Sequence, residues 1–264
     1  MKRHFGGITC ILLILSLTII SWKPAHSSTS KHRNIKLTKP LAAIQVFEQY
    51  IQGVYDSSHL QETGLTYNIF RQALTGFVNL KASEKLPQAN SILTIIDFSR
   101  SSREKRMWIV DVANRSLVLH TWVAHGERSG DDIPDRFSDR IDSRQSSLGF
   151  YLTDSEYFGD HGRALKLDGM DLGFNGNARK RAIVVHSANY VCQAVIDVHG
   201  RLGRSFGCPA VSPEVIDQVI DTIRDKTVLF ISGNNDHYHS KYLDEDLAAS
   251  YVAKGMNGAY TASL

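Results

Sequence analysis

A histidine and a cysteine in the C-terminal half of the chain have the side chains and surroundings that nucleophilic chemistry requires. Residues 182–185 (AIVV) are all apolar, which predicts a buried strand, and His186 follows them directly. Cys208 lies within residues 203–209 (GRSFGCP), here called the cysteine turn, where two glycines and a proline predict a tightly bent backbone. A thiol activated by a histidine base is the pair that acyl transfer through a covalent intermediate uses.

The backbone of the cysteine turn is a candidate for stabilising the charge that develops on a carbonyl oxygen under attack. Converging N–H groups of Phe206, Gly207 and Cys208 would form such an oxyanion site. A protonated His186 beside the thiol would lower the pKa of the thiol from about 8.5 to about 6, which raises the thiolate fraction at pH 7 about 30-fold. Because that gain is small, we expect positioning and oxyanion stabilisation to supply most of the acceleration.

Cys208 also has three interpretations that involve no catalysis. A free cysteine often behaves as a small buried hydrophobic residue. A disulfide with Cys192 is a second possibility, as a staple or as a redox switch, and it needs the two Cα atoms within about 7 Å. A zinc site with His186, Cys192 and His199 is a third, but their spacing matches no short paired-ligand pattern, so we expect no metal.

Residues 1–27 have the pattern of a secretory signal peptide. Basic residues precede the apolar run 8–20, and the sequence AHS at 25–27 provides small residues for signal peptidase. The run has 13 residues, fewer than the ~20 that a membrane-spanning helix needs. We therefore expect cleavage, export to the periplasm or cell envelope, and no stable membrane insertion afterwards.

Composition and charge fit an ordinary soluble globular protein. Of the 264 residues, 42% are hydrophobic and 22% are charged, enough for a sizeable core. The 30 basic residues exceed the 27 acidic ones by three, and the signal segment contains three basic residues and no acidic ones. The mature chain is thus close to neutral, and we expect no nucleic-acid binding.

Hydrophobic periodicity separates a helical beginning from a β-rich remainder. A polar lead at 28–39 is followed by apolar residues spaced three or four apart in 41–55 and 65–80, which predict two amphipathic helices in an N-terminal segment, 28–88. A second segment, 89–233, has short β-branched and aromatic runs that predict strands at residues 91–98, 107–112, 116–124, 148–153, 164–167, 181–186 and 227–231.

One further helix is predicted directly after the cysteine turn. Ser212 is a suitable cap, Pro213 suits the first helical position, and an apolar face runs through 215–223. The last segment, 234–264, is polar, with a weak helical pattern at 243–252.

The two candidate segments together resemble a known family. IVVHSA at 183–188 and GRSFGCPAV at 203–211 are similar to the catalytic segment of the bacterial peptidoglycan L,D-transpeptidases, the YkuD-type domain, and specifically the murein L,D-transpeptidase subfamily with an SxGCP signature. The resemblance runs from about residue 41 to 231, and it is supported by LTIIDFS at 93–99, VAHGERSG at 123–130, SSLGFYLT at 146–153 and GRALKLDGMDLGFN at 162–175.

The resemblance implies roles for individual residues. Cys208 matches the nucleophile, and His186 matches the base that activates the thiol and later protonates the leaving amine. The main-chain carbonyl of Ser187 matches the acceptor that orients the imidazole. Phe206 and Gly207 match the loop that forms the oxyanion site.

Substrate contacts are the part of the pattern from which this sequence departs. Ser205 belongs to the same matched loop and is a candidate for binding substrate, and His125 is a candidate for lining the cleft. The widespread pattern has a second histidine where this chain has Phe206, and an arginine shortly after the cysteine, where this chain has Pro209-Ala210-Val211. Arg204 is our candidate for the missing cation that would recognise a substrate carboxylate.

The implied fold is mainly β (α+β). It is a mixed β-sandwich or barrel with an N-terminal helical layer and one capped helix after the cysteine turn. The implied reaction is attack of the thiol on the L,D peptide bond of a peptidoglycan tetrapeptide stem, with release of D-alanine. An amine from a second stem then gives a 3–3 cross-link, whereas water would make the protein an L,D-carboxypeptidase. No cofactor is implied, and we expect a monomer.

Two other classes stay open at this stage. One is a non-catalytic cell-wall-binding module that retains the fold, and the other is a cysteine peptidase that acts on proteins.

Overall fold

Eight strands form one mixed sheet in the part of the chain that the computed structural model describes, residues 39–159 and 162–261. The order across the sheet is β3-β2-β1-β8-β4-β5-β6-β7. The strands are β1 (Ile92–Asp97), β2 (Met107–Asp111), β3 (Ser116–Thr121), β4 (Gly149–Gly159), β5 (Gly162–Gly169), β6 (Val184–Ser187), β7 (Ala210–Val211) and β8 (Val228–Ser232). The predicted signal segment, residues 1–27, lies outside the described residues.

The two edges of this sheet meet and nearly close it into a barrel. Ala124, just beyond β3, pairs antiparallel with Ala210 of β7, and Gly126 pairs with Ser205 of the cysteine turn. Strand β1 runs parallel to β8, and β6 runs parallel to β7. The predicted mainly β fold with helices is confirmed, and its closure brings the cysteine turn against the chain that follows β3.

Three helices cover one face of the sheet: α1 (Lys39–Ser57), α2 (Tyr67–Ala82) and α5 (Glu245–Thr261). The first two are the predicted N-terminal helices, and α2 starts at the cap Thr66, whose hydroxyl accepts a hydrogen bond from the N–H of Ile69 at 3.5 Å. The polar tail contributes α5, which packs against both. The Asn79 side chain of α2 donates to two main-chain carbonyls just before α5 and so fixes its approach.

Strands β1 and β2 are buried on both faces, because alternate residues face two different cores. Leu93 and Ile95 pack under the helical layer. Ile96 and Ile109 face the second core, which α4 (Ile216–Ile223) covers with its own apolar face. Burial on both sides explains why these strands are nearly continuous apolar runs.

Three details of the chain around the cysteine turn differ from the sequence prediction. Helix α4 is capped by Val215 without a side-chain hydrogen bond, whereas Ser212 and Pro213 form part of the turn that precedes it. The short helix α3 (Gln193–His199) and the two-residue strand β7 were not predicted. Elements of this length carry too few residues for periodicity to show.

No helix in the described ranges is both long enough and apolar enough to cross a membrane.

Candidate functional site

The fold places His186 on β6 and Cys208 in the cysteine turn, two residues before the neighbouring strand β7. His186 is in β6, opposite Ala210 of β7 in a parallel pair, and its N–H donates to the carbonyl of Pro209 at 3.4 Å. Cys208 precedes that proline, so the two residues that the sequence selected belong to adjacent stretches of backbone. Strand pairing, rather than a flexible loop alone, sets their relative position.

The imidazole of His186 is held by the main chain. Its Nδ1 lies 2.9 Å from the carbonyl oxygen of Ser187, and the ring is only 5% exposed. Because a carbonyl can only accept, Nδ1 carries the proton in this bond, and the basic nitrogen of the neutral ring is Nε2. The contact with Ser187 is the one that the family resemblance implied.

The thiol of Cys208 is enclosed by the start of β6. Its Sγ accepts from the N–H of Val184 at 3.5 Å and donates to the carbonyl of Ala182 at 3.7 Å. Burial raises the pKa of the Cys208 thiol above its ordinary value, although the Val184 N–H and the Arg181 charge act in the opposite direction. This direction is opposite to the lowering that a protonated His186 beside the thiol would produce, because desolvation outweighs the two favourable contacts.

Neither cysteine in the described part of the chain is in a disulfide. Cys192 and Cys208 are both free thiols. The Cys192 thiol, at the start of α3, donates to the carbonyl of Asn189 at 3.4 Å.

Ser205 organises the cysteine turn from inside. Its hydroxyl accepts from the N–H of Gly207 at 3.1 Å and donates to the carbonyl of Cys208 at 2.6 Å, and the residue is 5% exposed. The N–H of Gly207 therefore donates within the turn, which argues against its predicted place in an oxyanion site. The N–H groups of Phe206 and Cys208 make no hydrogen bond to the described residues.

Gly207 permits a close approach that no other residue allows. Its φ is +123°, and a Cβ there would lie 2.8 Å from the carbonyl oxygen of Gln145 and 3.1 Å from Nη2 of Arg181. The carbonyl of Gly207 also accepts from Ser146 at 3.4 Å. The 126–147 loop, which contains Gln145 and Ser146, therefore packs directly on the cysteine turn.

His125 lies below the surface, which argues against its predicted place in the lining of the cleft. The residue is 1% exposed, and its Nδ1 lies 2.8 Å from Nη2 of the fully buried Arg106. Burial and the Arg106 charge lower the pKa of His125 to about 3, so the ring is neutral at pH 7. Its carbonyl accepts from the N–H of Ser205 at 2.9 Å. His125 thus supports the cysteine turn through its backbone.

Arg204, the predicted carboxylate-binding cation, is engaged by the protein. Its Nη1 donates to the carbonyl of Gly130 at 2.8 Å and lies 3.3 Å from Oδ1 of Asp131. A substrate carboxylate would have to compete with these contacts, and this argues against the predicted role.

One residue that the sequence analysis missed, Arg144, contacts the side chain of Phe206 in the cysteine turn. The ring of Phe206 is 66% exposed, and the guanidinium of Arg144 lies over it at 4.3 Å from the ring centroid. Glu127 holds Arg144 from the other side at 2.8 Å. No sequence signal indicated Arg144, because it reaches Phe206 from a loop 62 positions earlier in the chain.

Comparison with solved structures finds distant similarity. The L,D-transpeptidase from Mycobacterium smegmatis shares 11% identity, with a TM-score of 0.34 over 54% of this chain and 59% of that one. L,D-transpeptidase 1 from Mycobacterium tuberculosis shares 12% identity, with a TM-score of 0.32 over 54% and 62%. The helical cell shape determining protein Pgp2 from Campylobacter jejuni shares 13%, with a TM-score of 0.36 over 63% and 56%. This chain thus spans about three fifths of the length of these proteins.

No curated protein sequence matches the chain. The model of a protein family does match: the L,D-transpeptidase catalytic domain, over residues 61–232. That range is well over half of the chain and contains β1 to β8, His186 and Cys208. The protein therefore belongs to the L,D-transpeptidase catalytic domain family.

Proposed function

We propose that the protein is a peptidoglycan L,D-transpeptidase of the SxGCP subfamily that uses Cys208 as its nucleophile and His186 as its base. The main support is the bond between Nδ1 of His186 and the Ser187 carbonyl, which leaves Nε2 as the basic nitrogen of a neutral imidazole. His186 also pairs with Ala210, two residues after Cys208. The family match supplies the reaction class. Peptidoglycan lies outside the cytoplasmic membrane, which agrees with the signal pattern at 1–27.

Burial raises the pKa of the Cys208 thiol and so favours its protonated form in the resting enzyme. As Sγ attacks the carbonyl of the L,D peptide bond, the thiol proton moves to Nε2 of His186, and the imidazolium is stabilised by the Ser187 carbonyl. The tetrahedral intermediate collapses when the same proton passes to the leaving amine. D-alanine departs, and the acyl group of the stem remains on Cys208 as a thioester.

The second half of the reaction repeats these proton transfers with an acceptor. An amine of another stem attacks the thioester, His186 takes a proton from it and returns that proton to the sulfur, and a 3–3 cross-link forms. Water in place of the amine gives a free tripeptide stem and makes the enzyme an L,D-carboxypeptidase.

Negative charge on the attacked oxygen needs donors that the resting protein leaves available. The N–H groups of Phe206 and Cys208 meet that requirement, since Gly207 donates to Ser205. The exposed Phe206 ring, with the Arg144 guanidinium above it, offers an aromatic surface beside the cysteine turn that a peptide stem could contact.

Mass spectrometry of the purified full chain with a tetrapeptide stem tests the assignment. We expect the wild type and Cys192→Ser to gain one acyl group and release D-alanine, and we expect Cys208→Ala to gain none. Undiminished acylation of Cys208→Ala would overturn the proposal. His186→Ala should acylate at least 100-fold more slowly, within the range of a lost general base. The same product mixture distinguishes cross-linked from hydrolysed stems, and binding to sacculi without D-alanine release would favour a wall-binding module.

A further inference from the structure

Both terminal nitrogens of the Arg181 guanidinium donate to the loop that packs on the cysteine turn. Its Nη1 donates to the carbonyl of Ser138 at 2.6 Å and to the hydroxyl of Ser147 at 3.2 Å. Its Nη2 donates to the carbonyl of Gln145 at 2.5 Å and to the hydroxyl of Ser143 at 3.2 Å. Four acceptors from one loop converge on a single planar cation, a geometry that the donors of arginine can satisfy and those of lysine cannot.

The same guanidinium lies against the backbone that presents the thiol. Its Nη2 is 3.1 Å from the position that a Cβ of Gly207 would occupy, so only a glycine lets the two groups come this close. Arg181 also directly precedes Ala182, whose carbonyl accepts from the Cys208 thiol. The cation therefore lies between the 126–147 loop and the cysteine turn, and its charge acts on Cys208 in the direction that favours the thiolate.

A role for Arg181 in binding substrate conflicts with these contacts, because both terminal nitrogens already donate to the protein. A purely structural clamp would explain the hydrogen bonds. It would not require a positive charge beside the sulfur, and this difference can be measured.

We propose that Arg181 is a positioning residue for Cys208: its guanidinium clamps the 126–147 loop onto the cysteine turn and keeps a positive charge next to the sulfur. The consequence for acylation rests on the proposed function. The consequence for ionisation of the thiol does not, because it can be measured without substrate.

The test compares Arg181→Gln, Arg181→Lys and Arg179→Gln in the full chain. Arg179 is a matched control, two residues earlier, that pairs with Asp154 and Asp168. The rate at which iodoacetamide alkylates Cys208 is followed against pH by peptide mass spectrometry, with Cys192 of the same molecules as the internal reference.

We expect Arg181→Gln to move the midpoint of the Cys208 profile upward by about one pH unit, as removal of a nearby charge does. Arg181→Lys should keep the wild-type midpoint, because it retains the positive charge. It should acylate about tenfold more slowly, because it loses the planar set of guanidinium donors. Arg179→Gln should match the wild type in both measurements. A wild-type midpoint in folded Arg181→Gln would overturn the electrostatic part of the proposal.

The lysine variant keeps the proposal falsifiable if Arg181→Gln does not fold. Wild-type acylation by Arg181→Lys would overturn the clamp, and a midpoint raised despite the retained charge would overturn the electrostatic role. If the wild type shows no acylation but the alkylation shift is present, the proposed function fails and the role of Arg181 at the thiol stands.

Discussion

The variant Ser205→Ala, which removes one hydroxyl, should disturb the conformation of the cysteine turn without unfolding the protein. The side chain of Ser205 bonds both the N–H of Gly207 and the carbonyl of Cys208, and the residue is buried. Each buried backbone group left without a partner costs about 1–3 kcal/mol, so loss of both partners should cost the ordered turn about 2–6 kcal/mol relative to looser conformations. Since 1.4 kcal/mol is a factor of ten, acylation of Cys208 should fall about 30-fold or more.

The assay pairs acylation by a tetrapeptide stem with urea unfolding of the same preparations. Ser212→Ala is the matched control, because Ser212 is also buried, but among the described residues its hydroxyl makes a single long bond, which it accepts from the N–H of Glu214 at 3.4 Å. We expect Ser212→Ala to acylate at the wild-type rate. If Ser205→Ala also acylates at that rate, the two hydrogen bonds do not hold the turn in its reactive form, and the reasoning is refuted.

Three further predictions concern packing and ionisation. Gly207→Ala should abolish acylation while the far-UV circular dichroism stays native. The new Cβ would lie 2.8 Å from the Gln145 carbonyl, in a backbone conformation that alanine disfavours. An active variant would show that the turn can relax. Gly76→Ala should lower the free energy of unfolding in urea by about 1–3 kcal/mol, because its Cβ would lie 2.0 Å from the Phe150 ring. Acylation per folded molecule should be unchanged, and an unaltered urea midpoint would contradict this packing. Because burial disfavours the thiolate, alkylation of Cys208 in the free protein should accelerate with rising pH through a midpoint above that of an ordinary cysteine. A midpoint near pH 6 would instead indicate a thiolate–imidazolium pair.

Local patterns in the sequence predicted the helices and strands that are long enough to show a period of apolar residues. The helices at 41–55 and 65–80 and the strand at 91–98 are visible because burial imposes a period on the apolar residues of each. The two-residue strand β7 has no period to detect. It exists because the neighbouring β6 and the chain beyond β3 offer hydrogen bonds to it.

Residue types and spacing by themselves determined which chemistry to look for: a histidine at the end of a buried strand, and a cysteine between glycine and proline. The tertiary structure alone decided how those groups are supported, because hydrogen bonds and desolvation depend on neighbours that are distant in the chain. The folded chain buries the Cys208 thiol, which raises its pKa, and it buries the side chain of His125. It also brings Arg181 within hydrogen-bonding distance of four acceptors in the 126–147 loop. The order of residues along the chain does not give the distances between groups that only folding brings together.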